Sequence, residues 1–495
     1  MATLERVYTG TECREIDRVA IEEYGIESFR LMHRAAHFAK IELLNRWSNP
    51  NSVTIVCGAG NNAGDGYLLA EGLHARGVAV QIMQIGALDR LQGDAQRAFK
   101  AIEKLDLEFS SNSGMHGEII VDALLGTGVR GAIRPNFVDA IDRINASSRP
   151  ILALDLPSGI DADTGGFLTA EPVRATLTTC FVGRKFALVT GSARNVAGEV
   201  ASSDLDIPEQ AFECVAGTRV IPTSADECRL PSRPPNSHKG HFGHVLIVGG
   251  NRGMGGAALL AGEACLRTGA GLVSVVTHSD HAPALLAARP ELMIRGSADG
   301  LVDESLLNRA DVIAVGPGLG RDAWAQQALK SVVAKQMPLV VDADALHWLA
   351  DSKHQLPKNS IVTPHPGEAA HLLNVATSSI ENDRASAIKN ITQQFACVGV
   401  LKGAGSLIAN HGELYGVCDI AEPTLSTAGS GDVLTGVIAA CLAQLKKSLT
   451  ATALGVHLHA TAGCRARETG GGRGVIAGDF ISALRPWGEN LDALH

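Results

Sequence analysis

Residues 426–436 read Ser-Thr-Ala-Gly-Ser-Gly-Asp-Val-Leu-Thr-Gly, small side chains running into an apolar stretch with one carboxylate, Asp432, at the junction. Such a run suits phosphate chemistry. Glycine lets backbone N–H groups approach an anion, the positive end of a following helix faces it, and a lone aspartate can act as a base where charge develops. Upstream, Lys402-Gly403-Ala404-Gly405-Ser406 follows an apolar strand pattern. Its lysine can offset phosphate charge and its glycine-rich backbone can approach the same anion as the Asp432 loop. In Thr363-Pro364-His365-Pro366-Gly367-Glu368 the prolines fix the backbone around His365, which is expected to touch substrate, with Glu368 near enough to bind or orient a magnesium ion. The alternative for His365 is a satisfied structural histidine. Asp342 and Asp344 sit at alternate positions of a strand end, facing one cleft or capping the next helix, and carry no catalytic assignment.

The N-terminal half has its own constellation. Gly58-Ala59-Gly60-Asn61-Asn62-Ala63-Gly64-Asp65-Gly66 follows a strand and precedes a helix expected to begin near Tyr67. The segments Asp122 to Gly128, with Val129 to Ala132 following, Asp155-Leu-Pro-Ser158-Gly159, and Gly183 to Lys185 occupy equivalent positions after later strands. Loops outside the carboxyl ends of an open α/β sheet are where ligands bind. Asn62, Asp122 and Ser158 supply hard oxygens with no soft Cys or His donor, a set suited to an alkali or alkaline-earth cation rather than zinc. Asn61 through Asp65 and Gly126 through Ala132 offer backbone donors for phosphate, and Asp155 is a candidate general acid or base. Neither the GxGxxG of a hydride-transferring domain nor the GK[ST] of a P-loop occurs in this segment. A nucleotide binder without redox or NTPase equipment is the reading.

These segments need a scaffold. Helical spacing runs from Gly10 to Trp47, with Ile16, Val19, Ala20 and Ile21, then Phe29, Met32, Ala35 and Ala36, on apolar faces. Short apolar runs at Val53 to Cys57, Val78 to Ile85, Ile119 to Val121 and Ile151 to Leu154 read as buried parallel strands, with Val182 to Val200 adding closing strands, so a doubly wound sheet is expected. A polar, proline-rich linker spans 223–239. Strand-then-helix alternation restarts at Val245 to Val248 and recurs at Leu272 to Val276, Val312 to Val315, Leu339 to Val341, Ile361 to Val362 and Val398 to Leu401. The division is therefore 1–222, linker, and 240–495, both α/β.

Composition narrows the classes. The 495 residues exceed what one core serves, and 45% hydrophobic with 19% charged residues excludes wholesale disorder. A net charge of −9 offers no broad basic face, so neither nucleic acid nor a membrane is an expected partner. The ten cysteines form no CxxC pair or zinc spacing, the first residues lack a secretory pattern, and no apolar run reaches spanning length, which together point to a cytoplasmic protein. The apolar N-terminal helices point to a homo-oligomer.

The N-terminal segments resemble the first domain of the bifunctional NAD(P)H-hydrate repair enzymes, the YjeF family, across roughly Tyr8 to Ala216. The resemblance implies a Rossmann-like domain that epimerises the R and S C6 hydrates of NADH and NADPH. In it Asn62, Asp122 and Ser158 hold potassium. Asn61, Asn62, Ala63, Gly64, Asp65, then Gly126, Thr127, Gly128, Val129, Arg130, Gly131 and Ala132, with Asp155, contact the hydrate. Ala63 stands where bacterial relatives usually carry glycine, and a left-handed backbone there would strain alanine. From about Ser237 onward the chain resembles the ribokinase-like NAD(P)H-hydrate dehydratases. There Lys402, Gly403, Ala404, Gly405, Ser406 and Gly431 contact the adenine nucleotide, and Ala257, Gly318, His365 and Asp432 the hydrate, with Asp155 and Asp432 as the catalytic residues of the two halves. The implied reaction removes water from the S hydrate at the expense of ADP, giving AMP and phosphate, with Mg2+ in attendance; bacterial members use ADP and eukaryotic ones ATP.

Two other readings compete. A ribokinase-like small-molecule kinase fused to a nucleotide-binding domain would share the anion loop and the aspartate, but needs neither the Thr-Pro-His-Pro-Gly-Glu segment nor the first domain. A sensor or scaffold role for the first domain would need no Asp155 beside the cation ligands.

Overall fold

The computed structural model describes residues 6–110, 114–222, 229–352 and 355–484. Residues 223–228 of the expected linker lie outside them. Two compact units emerge, Met1–Arg219 and Val220–His495, each with its own core.

In the first unit a seven-stranded sheet runs in the order Glu108–Ser110, Ala79–Gln84, Ser52–Cys57, Ile119–Ala123, Ile151–Leu154, Leu177–Phe181, Glu199–Ser203, every pair parallel. Its five inner strands are short apolar runs buried on both faces, the pattern a helix-covered parallel sheet requires, while the edge strands Glu108–Ser110 and Glu199–Ser203 are more exposed. Strand order reverses between Ser52–Cys57 and Ile119–Ala123, which is where a doubly wound sheet opens a crevice for ligand. The helix Gly10–Glu22 starts at Thr9 and Glu12, which satisfy each other's backbone donors, and buries Ile16, Val19 and Ala20. Ile21, expected with them, is exposed. On Ser28–Arg46, Phe29, Met32, Ala35 and Ala36 are all buried.

Two local expectations change. The helix after the first strand begins at Asn61 rather than near Tyr67, so Asn61 to Gly66 are its first turns and not a loop. Ala63 is helical, and no strain attaches to it. Within 182–200 the chain forms 3-10 turns at Phe186–Leu188 and Gly191–Ala193, and the strands lie at Leu177–Phe181 and Glu199–Ser203 instead. Val182 at φ 64° and Gly183 at φ 116° break the extended backbone immediately after Phe181.

The second unit places strands in the order Glu413–Cys418, Ser406–Asn410, Val398–Leu401, Ile361–Val362, Leu339–Val341, Val312–Val315, His244–Val248, Leu272–His278, Met293–Ser297. Pairing is parallel except in the three strands from Val398 to Cys418, which form an antiparallel meander. The helix Ser430–Leu445 is buried almost all round, from Val433 to Ala443, between Gly255–Arg267 and Ser448–Gly470. A helix apolar on every side has to be central, and its first turn carries Asp432. Gly436 sets how closely it packs: a Cβ there would stand 2.2 Å from the Ala261 carbonyl oxygen. Gly436→Ala is expected to push the helices apart and cost about 1–3 kcal/mol, measured as a lower denaturant midpoint with an unchanged m-value. No helix among the described residues is long and apolar enough to cross a membrane.

Candidate active sites

The crevice of the first unit is a cavity of about 990 Å³. Its floor depends on Gly58, where a Cβ would stand 2.0 Å from the Leu124 carbonyl oxygen, so only glycine lets the two strand ends approach. Gly60 then caps Asn61–His74 in an extended conformation and leaves the first-turn N–H groups at the cavity wall. Asn61, Asn62, Asp65, Gly126, Thr127, Gly128, Val129, Arg130, Ala132 and Asp155 line the cavity. Ala63 is fully buried, and a Cβ at Gly64 would meet Met32, so these two face the protein interior rather than the cavity. Gly131, at φ 70°, shapes the 126–132 loop without lining the cavity.

Asp155 sits just past the strand Ile151–Leu154 in a left-handed conformation, φ 64°. Its Oδ1 receives Lys185 Nζ at 2.8 Å and the Phe181 N–H at 3.3 Å. Its Oδ2 lies 3.9 Å from where a Gly126 Cβ would be, on the side of the 126–132 loop. Lys185 is 1% exposed and also donates to the Phe181 carbonyl. Burial works against its charge, but Asp155 and the thiols of Cys13 and Cys180 outweigh burial and hold its pKa above that of ordinary lysine. Nothing in its sequence context distinguishes Lys185 from a surface lysine; the one hint is that it closes a glycine-bearing segment after a strand. Asp65 is pushed well up by burial first and then by Asp155 and Asp17, with Lys185 opposing. Burial and the neighbouring carboxylates thus favour its protonated form.

Asn62, Asp122 and Ser158 converge below the cavity. The Ser158 hydroxyl and N–H donate to the two Asp122 carboxylate oxygens at 2.7 and 2.8 Å, and Asn62 Nδ2 donates to the Leu125 carbonyl at 3.1 Å. Asn62 Oδ1 is buried with no hydrogen-bond partner. An orphaned amide oxygen, joined through Leu125 and Ser158 to a buried carboxylate whose pKa burial raises to about 6, supplies hard oxygens of the kind a cation site uses.

In the second unit Asp342 is the hub. It is 1% exposed and receives Lys402 Nζ at 2.7 Å and the Thr363 hydroxyl at 2.8 Å on Oδ1, and the Thr435 hydroxyl at 2.7 Å on Oδ2. Burial works to raise its pKa, yet Lys402 and the two hydroxyls overcome that and hold it below the ordinary carboxylate range. The Asp342 side chain therefore ties Lys402, Thr363 and Thr435 together and does not cap Asp344–Ser352; Asp344 accepts from the Gly320 N–H at 2.9 Å. A Cβ on Gly431 would stand 3.5 Å from Lys402 Nζ and 3.9 Å from Asp342 Oδ2, so the Asp432 loop and the Lys402 turn meet. Asp432 is half-buried, and its carboxyl is pushed up to about 7 by burial and by Asp342, with Lys402 opposing and Asp344 adding.

The 402–406 turn is held from beneath by Arg384, 2% exposed, which donates to the carbonyls of Leu401 and Lys402 at 3.3 and 3.0 Å. Gly403 at φ 137° and Gly405 at φ 68° take conformations open to glycine, and the Ser406 hydroxyl closes the turn onto the Gly403 carbonyl at 3.1 Å. Ala404 is exposed at its tip. Gly318 and Ala257 come together, since a Gly318 Cβ would stand 3.0 Å from that of Ala257. His365 caps Pro366–Leu373, accepting from the Gly367 and Glu368 N–H groups at 3.0 and 3.3 Å on Nδ1, while Nε2 faces Glu368 at 3.4 Å. Glu368 accepts from the His365 N–H at 2.7 Å and stands 3.6 Å from Lys402, so it braces the lysine. Among the described residues no group of three or more His, Cys, Asp or Glu side chains is arranged to hold a metal.

Comparison with known proteins agrees with this division of labour. Residues 245–485 match the family model described as NAD(P)H-hydrate dehydratase, and residues 28–187 that of the YjeF-related protein N-terminus. The bifunctional NAD(P)H-hydrate repair enzyme Nnr of Coxiella burnetii is 40% identical over 97% of this chain and 98% of its own length. That of Escherichia coli K12 is 37% identical over 97% and 93%. A solved ADP/ATP-dependent NAD(P)H-hydrate dehydratase from Bacillus subtilis, co-crystallized with ATP/Mg2+, is 29% identical over 52% of this chain and 94% of its own, with a TM-score of 0.48. With full-length relatives at this identity, the chain belongs to the family of bifunctional NAD(P)H-hydrate repair enzymes.

Proposed function

We propose that this chain repairs hydrated nicotinamide cofactors, the first unit interconverting the R and S hydrates and the second removing water from the S hydrate with an adenine nucleotide. The observation that carries the reading is the meeting of Lys402, Asp342 and the Gly431–Asp432 turn at the strand ends of the second unit. A C6 hydroxyl is a poor leaving group, and phosphorylation makes it a good one. Asp432 takes the hydroxyl proton as its oxygen attacks the terminal phosphorus of ADP, and AMP departs. The C6–O bond then breaks with help from the ring nitrogen lone pair, phosphate leaves, and loss of a C5 proton restores NAD(P)H. Lys402 and the Gly403 to Ser406 N–H groups offset charge on the transferring phosphoryl group. Gly431 adds a backbone donor, and Ala257, Gly318 and His365 form the hydrate side. Magnesium, when bound, would neutralise charge on the nucleotide phosphates.

In the first unit Asp155 is the proton-transfer group, positioned by Lys185, while the N–H groups of Asn61 and the 126–132 loop hold phosphate. Asn62, Asp122 and Ser158 would hold potassium, which would supply fixed positive charge to the site. KCl, against tetramethylammonium chloride at equal ionic strength, is expected to raise the melting temperature of the full chain, by linkage of about 2.7 kcal/mol at a hundredfold excess over Kd. Asn62→Ala should abolish the difference; an undiminished difference in that variant contradicts the assignment.

Incubating the intact chain with ADP and a mixture of both hydrates tests the whole reading. Complete return of reduced-nicotinamide absorbance is expected. Recovery that stops at the S fraction removes the epimerase half, and a stable phosphorylated hydrate in place of NAD(P)H would indicate a kinase instead.

A further inference from the structure

Among the carboxyls lining the cavity of the first unit is Asp17, to which the functional reading gives no role. Asp17 stands one helical turn beyond Cys13 on Gly10–Glu22, and both line the cavity with Asp65, Asp155 and Lys185. Unlike Asp155, it makes no hydrogen bond or ion pair with the described residues, so its oxygens are free for a ligand. Three carboxyls thus share one lysine, and that lysine is committed to Asp155 at 2.8 Å. Desolvated carboxyls in such a group cannot all remain charged. Asp17 is pushed up to about 6 by burial, with Lys185 opposing and Asp155 adding, and burial also raises Asp65 well above the ordinary carboxylate value. At about 6, Asp17 exchanges its proton close to working pH, where general acid catalysis is most effective.

Inversion at C6 by loss and return of water needs proton transfer on both faces of the ring. We propose that Asp17 is the second proton-transfer residue of epimerisation, acting on the ring face opposite Asp155. This rests on the functional reading above. Asp17 donates its proton to the C6 hydroxyl; the C–O bond breaks, water leaves, and the ring nitrogen lone pair forms the N1=C6 iminium. A water on the other face adds its oxygen to C6 and gives a proton to Asp155. Hydroxyl and proton are restored, the configuration is inverted, and the exchanged carboxyl states reset through solvent. The charged groups that line the cavity with Asp17 are Arg14, Arg18 and Glu22 on its own helix and Asp65, Arg90, Asp94, Arg130, Arg134, Asp155 and Lys185 from facing elements; the cavity-lining side chains of Ser28–Arg46 are uncharged.

The test compares the full-length wild type with Asp17→Asn and Asp17→Glu, following hydrate epimers in water enriched in oxygen-18, with the uncatalysed rate subtracted. Wild type is expected to incorporate one solvent oxygen per inversion. Asp17→Asn should lower the epimerisation kcat by about 10²-fold or more with KM within about threefold, and Asp17→Glu should restore at least about a tenth of the rate. Dehydration of the S hydrate by the same preparations should be unchanged. Retention of the original oxygen, or an Asp17→Asn rate within about threefold of wild type, overturns the proposal alone. A wild type that does not epimerise at all overturns the functional reading and this inference with it.

Discussion

Asp432→Asn is expected to lower dehydration kcat by about 10²–10⁴-fold, the range of a lost general base, while ADP affinity changes by less than about threefold. The side chain opens the central helix of its unit behind Gly429, at φ 86°, so asparagine fits the same backbone. Its pKa near 7, raised by burial ahead of Asp342, sets two opposite pH trends. The base must be ionised, so wild-type kcat/KM should rise as pH increases through about 7. A carboxyl whose folded pKa is raised contributes stability that is complete below its unfolded value and lost as pH rises through the folded one. Ionised Asp432 therefore costs stability on the alkaline side, and Asp432→Asn should match or exceed wild type in melting temperature above pH 7 while remaining inactive. Activity near wild type in the variant, or wild-type kcat/KM flat across that interval, contradicts the role.

Lys185→Met should have the largest effect in the first unit. It leaves Asp155, Asp65 and Asp17 around one cavity with no cation bonded to any of them, and removing one partner of a buried pair typically costs about 3–5 kcal/mol. Proton uptake by Asp155 relieves part of that cost and simultaneously disables it as a base. Epimerisation should fall by about 10²-fold or more, with a lower denaturant midpoint for the full chain and S-hydrate dehydration retained under native conditions. An unshifted midpoint with epimerisation within about threefold of wild type would show that the pair positions nothing.

Much of this was legible in sequence because the glycine-rich turns are local. Gly403 to Ser406 and Gly429 to Asp432 carry their own conformational signatures, and the buried strand Val398–Leu401 leads into the first of them. What could not be read is pairing across the chain. Lys402 meets Asp342 from 60 residues away and Thr435 reaches it from 93, so no spacing rule distinguishes Asp342 from a helix cap. Lys185 and Asp17 likewise acquire meaning only once the sheet brings three carboxyls to one cavity. The helix starting at Asn61 was hidden for a different reason: Asn-Asn-Ala-Gly-Asp-Gly has poor helix propensity, and burial in the crevice overrides it. His365 was singled out for chemistry, and its Nδ1 turns out to cap a helix.

The claim on which the rest depends is that the Lys402 turn and Asp432 act on one phosphoryl group, transferring it to the C6 hydroxyl. Supplying S hydrate labelled with oxygen-18 in that hydroxyl, with unlabelled ADP, and analysing the products by mass spectrometry addresses it directly. One labelled oxygen in the inorganic phosphate is predicted, because C6–O cleavage follows phosphorylation. Label recovered in water, with unlabelled phosphate, would contradict the account.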